Sequence, residues 1–178
     1  MGLPEIFISF QTAAVSAITR SARGVLAVAV QDATEGGAAE AAYKSLAEVP
    51  EDKFSAENYR LLKLAFLAAP TKVWVLRVGA DTKAAYQALE RLNFDWLAAP
   101  GLEDAAVISF IKTLRNGGRG VKAVVANAKD PDCEGIVNLC VSGLTLEDGA
   151  MEAKDYAVRV AALLAALPLT RSATYVNL

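Results

Sequence analysis

Residues 72–79 read Lys-Val-Trp-Val-Leu-Arg-Val-Gly, and five of the first seven are apolar. A run this short and this apolar suits a strand covered on both faces, which is the situation of a strand inside an α/β sheet. Helical patterns flank it, one over residues 55–69 that stops at Pro70 and one over residues 82–92 that opens beyond Gly79. Strand-like and helical segments then alternate almost to the end of the chain. The fold expected is α/β: a three-layer domain with a mostly parallel or mixed central sheet flanked by helices, plus an extended N-terminal β-arm.

The 178 residues fit one domain, able to bury about two thirds of its unfolded surface without a metal or disulfides. A formal net charge of -2, from 18 basic and 20 acidic residues, gives no field suited to a phosphate backbone, so nucleic acid is not an expected partner. Hydrophobic residues make up 54% of the chain, largely through alanine in helices. No run approaches the ~18 consecutive apolar residues of a spanning helix, so membrane insertion is not expected. The start of the chain lacks a basic segment followed by an apolar core, and synthesis in the cytoplasm is expected.

Histidine is absent from the whole chain. That removes the usual general base and the commonest transition-metal ligand, and with them any Ser-His-Asp or Cys-His mechanism within this chain. Cys133 and Cys140 have neither the spacing nor the neighbours of a zinc site and read as two reduced thiols.

Along the chain, residues 5–11 are β-prone, with Ile6, Ile8 and Phe10 on one face and Phe7 and Ser9 on the other. Residues 25–30 form a second buried-strand candidate, and residues 33–42, carrying Gly36 and Gly37, read as a surface excursion. Ser55 is an expected N-cap for a helix with Tyr59, Leu62 and Phe66 on one stripe. Asp81 or Thr82 caps the next, with Ala85, Leu89 and Leu92 inward, followed by a short strand over 94–98 broken at Pro100-Gly101. Val107, Phe110, Ile111 and Leu114 follow i, i+3, i+4, i+7 spacing, and Asn116-Gly117-Gly118 ends that helix. Residues 121–126 and 136–141 read as strands, with 144–147 as a hairpin partner to the latter. A last helix over 152–167 is expected to turn Tyr156, Val160, Leu163, Leu164 and Leu167 inward before Pro168, and residues 174–178 read as extended.

Candidate sites are few. Gly117, Gly118 and Gly120 follow a helix and precede a strand, the reverse of a phosphate loop, and read as a turn. The segment Gly79-Ala80-Asp81-Thr82-Lys83 lies between strand and helix, where Thr82 and Lys83 could hold phosphate, but it lacks the further glycines and reads first as a helix cap. Asp130, Asp132 and Glu134 lack the glycine and distal glutamate of a calcium loop and read as a solvated turn. Trp74 and Trp96 read as core, and Glu90-Arg91 and Glu103-Asp104 as solvated helix faces. No nucleophile, base and oxyanion donor assemble, and no cofactor or metal is expected.

The apolar segment Ile6, Phe7, Ile8, Ser9 and Phe10 is awkward at a chain end, because an unpaired strand attracts any available sheet edge. It is either the first strand of the chain's own sheet or an arm donated to a neighbouring copy. Here the sequence resembles a known family, the contractile phage tail sheath proteins, especially the short type of phage-like elements in Gram-positive bacteria. The residues that carry the resemblance are Met1-Gly2-Leu3-Pro4, Ile6-x-Ile8-Ser9-Phe10, Ile18, Arg20-Ser21 and Arg23-Gly24 near the start. Gly135-Ile136-Val137-Asn138 is similar, as are Tyr156, Leu163-Leu164 and Pro168-Leu169-Thr170-Arg171-Ser172-Ala173-Thr174-Tyr175.

The resemblance implies a non-enzymatic virion structural protein whose copies form stacked six-membered rings around a tail tube, above a baseplate, linked by exchanged terminal strands. It makes Ile6, Phe7, Ile8, Ser9 and Phe10 the subunit-linking arm, residues 1–23 an arm and connector, and residues 24–178 the sheath core domain. Family members continue past the segment matching Ser172 to Tyr175, so the C-terminal part of the family pattern is expected to be absent. The competing expectation is a small-molecule or nucleotide-binding α/β domain that uses the loop at 79–83.

Overall fold

The computed structural model describes residues 24–129, 131–146 and 149–168. The expected arm, the connector after it and the extended segment at 174–178 lie outside the described residues, as does Asp130. Among the described residues one sheet of six strands runs in the order β2-β3-β1-β4-β5-β6. These are β1 (Val25–Gln31), β2 (Glu40–Tyr43), β3 (Lys72–Val78), β4 (Trp96–Ala98), β5 (Lys122–Ala126) and β6 (Ile136–Leu139). All pairings are parallel except that of β2 with β3, so the sheet is mixed. A separate antiparallel pair joins β7 (Leu144–Leu146) to β8 (Gly149–Met151).

Among the described residues four α-helices cover the sheet: α1 (Ala56–Phe66), α2 (Thr82–Arg91), α3 (Asp104–Asn116) and α4 (Ala153–Ala166). α2 and α3 close one face around Ala85, Leu89, Val107, Ile111 and Leu114; α1 and α4 close the other around Leu61, Leu62, Ala65, Val158 and Ala161. The three-layer α/β expectation is borne out. Each helix returns against its strands, so helix starts and strand ends lie together at one rim of the sheet, and helix ends and strand starts at the other.

The most enclosed strand is β1 and not β3. Every residue from Val25 to Val30 is buried, because β1 pairs with β3 on one side and β4 on the other. β3 has only the four-residue β2 beyond it, and Lys72 and Trp74 stay partly exposed. β2 itself, Glu-Ala-Ala-Tyr, has little strand propensity and forms because Ala41 and Ala42 pair with Val75 and Trp74.

Two helix faces differ from the periodicity. In α1, Asn58, Leu61, Leu62 and Ala65 are buried while Tyr59 and Phe66 are half-buried. In α4, Ala157, Val158, Val160, Ala161, Ala162 and Ala165 face inward, and Tyr156, Leu163, Leu164 and Leu167 are half-buried. Small residues let α4 lie close to the sheet, so bulk is not the guide to its inward face. β7 also pairs with β8, not with β6.

Candidate functional site

In an open parallel sheet, ligands bind beyond the carboxyl ends of the strands where strand order reverses direction. Here that crevice lies between β1 and β4. The chain fills it with its own turn. After β4, Pro100-Gly101 folds back over β1, and the Gly101 N–H donates to the Ala29 carbonyl at 3.0 Å. A Cβ at Gly101 would stand 2.6 Å from the Gln31 nitrogen, so only glycine permits this approach.

Beside this plug, a polar knot holds the 32–58 excursion down. The Asp32 carboxylate accepts from the Thr34 N–H (2.9 Å), the Ser55 N–H (3.0 Å) and the Asn58 amide (2.8 Å), and that amide also donates to the Gln31 carbonyl. Burial works to raise the Asp32 carboxyl, but the hydrogen bonds from Thr34, Asn58 and Ser55 outweigh it and hold it well below the usual carboxylate range. The Arg77 guanidinium lies 3.8 Å from Asp32, donates to the carbonyls of Thr34 and Lys53, and stacks over Phe54 at 4.5 Å. A side chain at Gly37 would collide with it. Apart from the buried Arg77 Nε, these polar groups are spent on each other and on backbone, which makes the knot a clasp.

The 79–83 loop is a helix cap. Asp81 accepts from the Lys83 N–H at 2.9 Å, which occupies an amide that a phosphate would need, and no atom lies within 4 Å of a Cβ built at Gly79. The glycines after α3 form its stop, with Gly118 at φ +86. Glu134 pairs with Arg115, and among the described residues no group of three or more His, Cys, Asp or Glu could hold a metal ion. Cys133 is half-buried, Cys140 is exposed, and both are free thiols. Trp74 and Trp96 are partly buried, packed against the two cores, and carry Lys72 and Lys122 over their rings.

Sequence reasoning missed a cleft of about 720 Å³ at the opposite rim, under the starts of β1, β4 and β5. The Asp95 carboxylate accepts from the Gly24 and Val25 N–H groups at 2.8 and 3.0 Å and anchors the first described residues. Arg119 reaches the carbonyls of Glu90 and Leu92, both at 2.7 Å, over the face of Phe94, while Arg115 holds the Val121 carbonyl. Leu164, Ala165, Leu167 and Pro168 form the other wall. Gly24, at φ +107, lies so close that a Cβ there would be 2.9 Å from the Ala165 carbonyl oxygen. Gly24 and Pro168, at the two ends of the described residues, thus line the same cleft.

Among the described residues no helix is long and apolar enough to cross a membrane. No family model matches the chain. The tail sheath protein of Clostridium phage phiCD119 is 31% identical over 194 residues, an alignment that covers 99% of this chain and 52% of that protein. A sheath tail protein of Desulfitobacterium hafniense has the same fold, with a TM-score of 0.71 at 15% identity over 96% of this chain and 64% of its own. A sheath tail protein of Listeria innocua gives a TM-score of 0.67 at 18% identity over 84% of this chain and 58% of its own. In sequence the chain is similar to a phage tail sheath protein and in fold to two sheath tail proteins, and it spans about half the length of the curated relative it matches.

Proposed function

We propose that the chain is a structural, non-enzymatic subunit of a contractile tail sheath, made in the bacterial cytoplasm and built into a phage or phage-like tail particle. The observation that carries this is the 31% identity that runs across 99% of the chain to a tail sheath protein. The filled crevice agrees with it, since a domain that closes its own ligand position is suited to carrying contacts. In this reading residues 24–178 form the core unit and residues 1–23 an arm and connector. Ile6, Phe7, Ile8, Ser9 and Phe10 add as a strand to a neighbouring copy, so that main-chain hydrogen bonds tie subunits into six-membered rings around a tail tube and above a baseplate. Sliding of linked subunits between two packings supplies the contraction.

Removal of residues 1–11 tests the arm. The shortened protein is expected to keep the circular dichroism and unfolding midpoint of the full chain while losing the rings or tubes seen by negative-stain microscopy. Undiminished assembly of the shortened protein contradicts the assignment.

A further inference from the structure

Among the described residues two large hydrophobic side chains stand exposed, Leu67 at 67% and Val137 at 38%. Leu67 follows the last turn of α1, at the rim of strand starts, and lines a groove of about 300 Å³ with Leu46, Phe66 and Pro70. Leu46 and Phe66 also rest on the core beneath α1, so the groove continues that core to the surface. Lys44 and Lys63 stand at its edge, Lys63 with its ammonium over the Tyr59 ring at 4.8 Å.

The winding of the chain points toward this groove. β1 connects to β3 through α1, a step toward the β2 edge, whereas β3 to β4 through α2 and β4 to β5 through α3 step toward β6. α1 covers one face of the sheet and α2 and α3 the other, so all three crossovers have the same hand, as parallel connections require. α4 shares the face of α1. A chain that leaves α4 with this hand therefore turns toward β3 and β2. The groove lies there, between Pro70 before β3 and Lys44 after β2.

The path is short. A Cβ at Gly24 would stand 2.9 Å from the Ala165 carbonyl oxygen and 3.1 Å from the Thr71 hydroxyl, and the Thr71 N–H donates to the Gly24 carbonyl at 3.0 Å. The last turn of α4 thus meets the residue next to Pro70. Residues 169–178 reach up to ~33 Å when extended, more than this path needs. They carry one charge, Arg171, and bring Tyr175, Val176 and Leu178, apolar side chains that gain by burial against Leu67 and Phe66.

We propose that residues 175–178 dock in the groove at the end of α1 of their own chain and cover Leu67. The contact involves neither the arm nor a second copy, so it stands or falls independently of the assembly reading.

The test is urea unfolding of the full chain. Leu67→Ala and Tyr175→Ala are each expected to lower the midpoint by about 0.5 M, whereas truncation of a solvent-exposed leucine leaves it unchanged. The double variant is expected to unfold near the midpoint of the weaker single variant, because two residues that touch lose one shared contact. A Leu67→Ala midpoint equal to that of the unaltered chain, or two losses that add in the double variant, would overturn the proposal. Coupling of Leu67→Ala to Phe10→Ala in place of Tyr175→Ala would give the groove to the arm, and a loss that depends on protein concentration would give it to a second copy. Either result also refutes docking by residues 175–178.

Discussion

Two residues decide that the carboxyl end of the sheet is closed. Gly101 allows the turn after β4 to lie on the backbone of β1, and a valine there must displace either the turn or the strand end. Gly101→Val is expected to cost about 1–3 kcal/mol of unfolding free energy in urea, the range of an overpacked core. Asp32 is the other. Folding lowers its carboxyl pKa below the unfolded value of about 3.9, so its contribution is complete above that pH and is lost as pH falls through the native value. Asp32→Asn is expected to remove about 1–3 kcal/mol near neutral pH, as buried partners lose their acceptor, and to flatten the fall in stability below about pH 4. An unchanged acid limb in the variant would place the acid sensitivity elsewhere. Neither role was legible in sequence. Pro100-Gly101 marks a break, but what the break rests on is tertiary, and Asn58 meets Asp32 across 26 positions.

At the scale of elements, strands β1, β3 and β5 were readable because each is a short apolar run between turn signals. The caps were readable too: Ser55 accepts from the Asn58 N–H and Asp81 from the Lys83 N–H. What escaped was set by packing. β2 consists of residues that favour other structures and exists through its pairing with β3. The inward face of α4 is built from alanines, which carry little weight in a hydrophobic pattern yet set how close the helix can come. Ala161 is completely buried there, and Ala161→Leu is expected to destabilise the fold by about 1–3 kcal/mol, measured by chemical denaturation. A neutral result would mean that α4 stands off the sheet far enough to admit three more heavy atoms, and that alanine is incidental.

At the scale of the whole molecule, the described body is a closed α/β unit whose two ends meet beside one cleft, and its resemblance to sheath proteins covers both sequence and fold. The terminal motifs made that likeness visible in the sequence, whereas the cleft at the strand starts became visible only when the directions of the described strands and helices were known. In the proposed assembly the segment from Ile6 to Phe10 finds its main-chain partners on another molecule. Amide hydrogen exchange, followed in dilute monomer and in assembled particles, tests this most directly. Protection of those amides that arises only on assembly is the predicted result, and equal protection in the dilute monomer would contradict it.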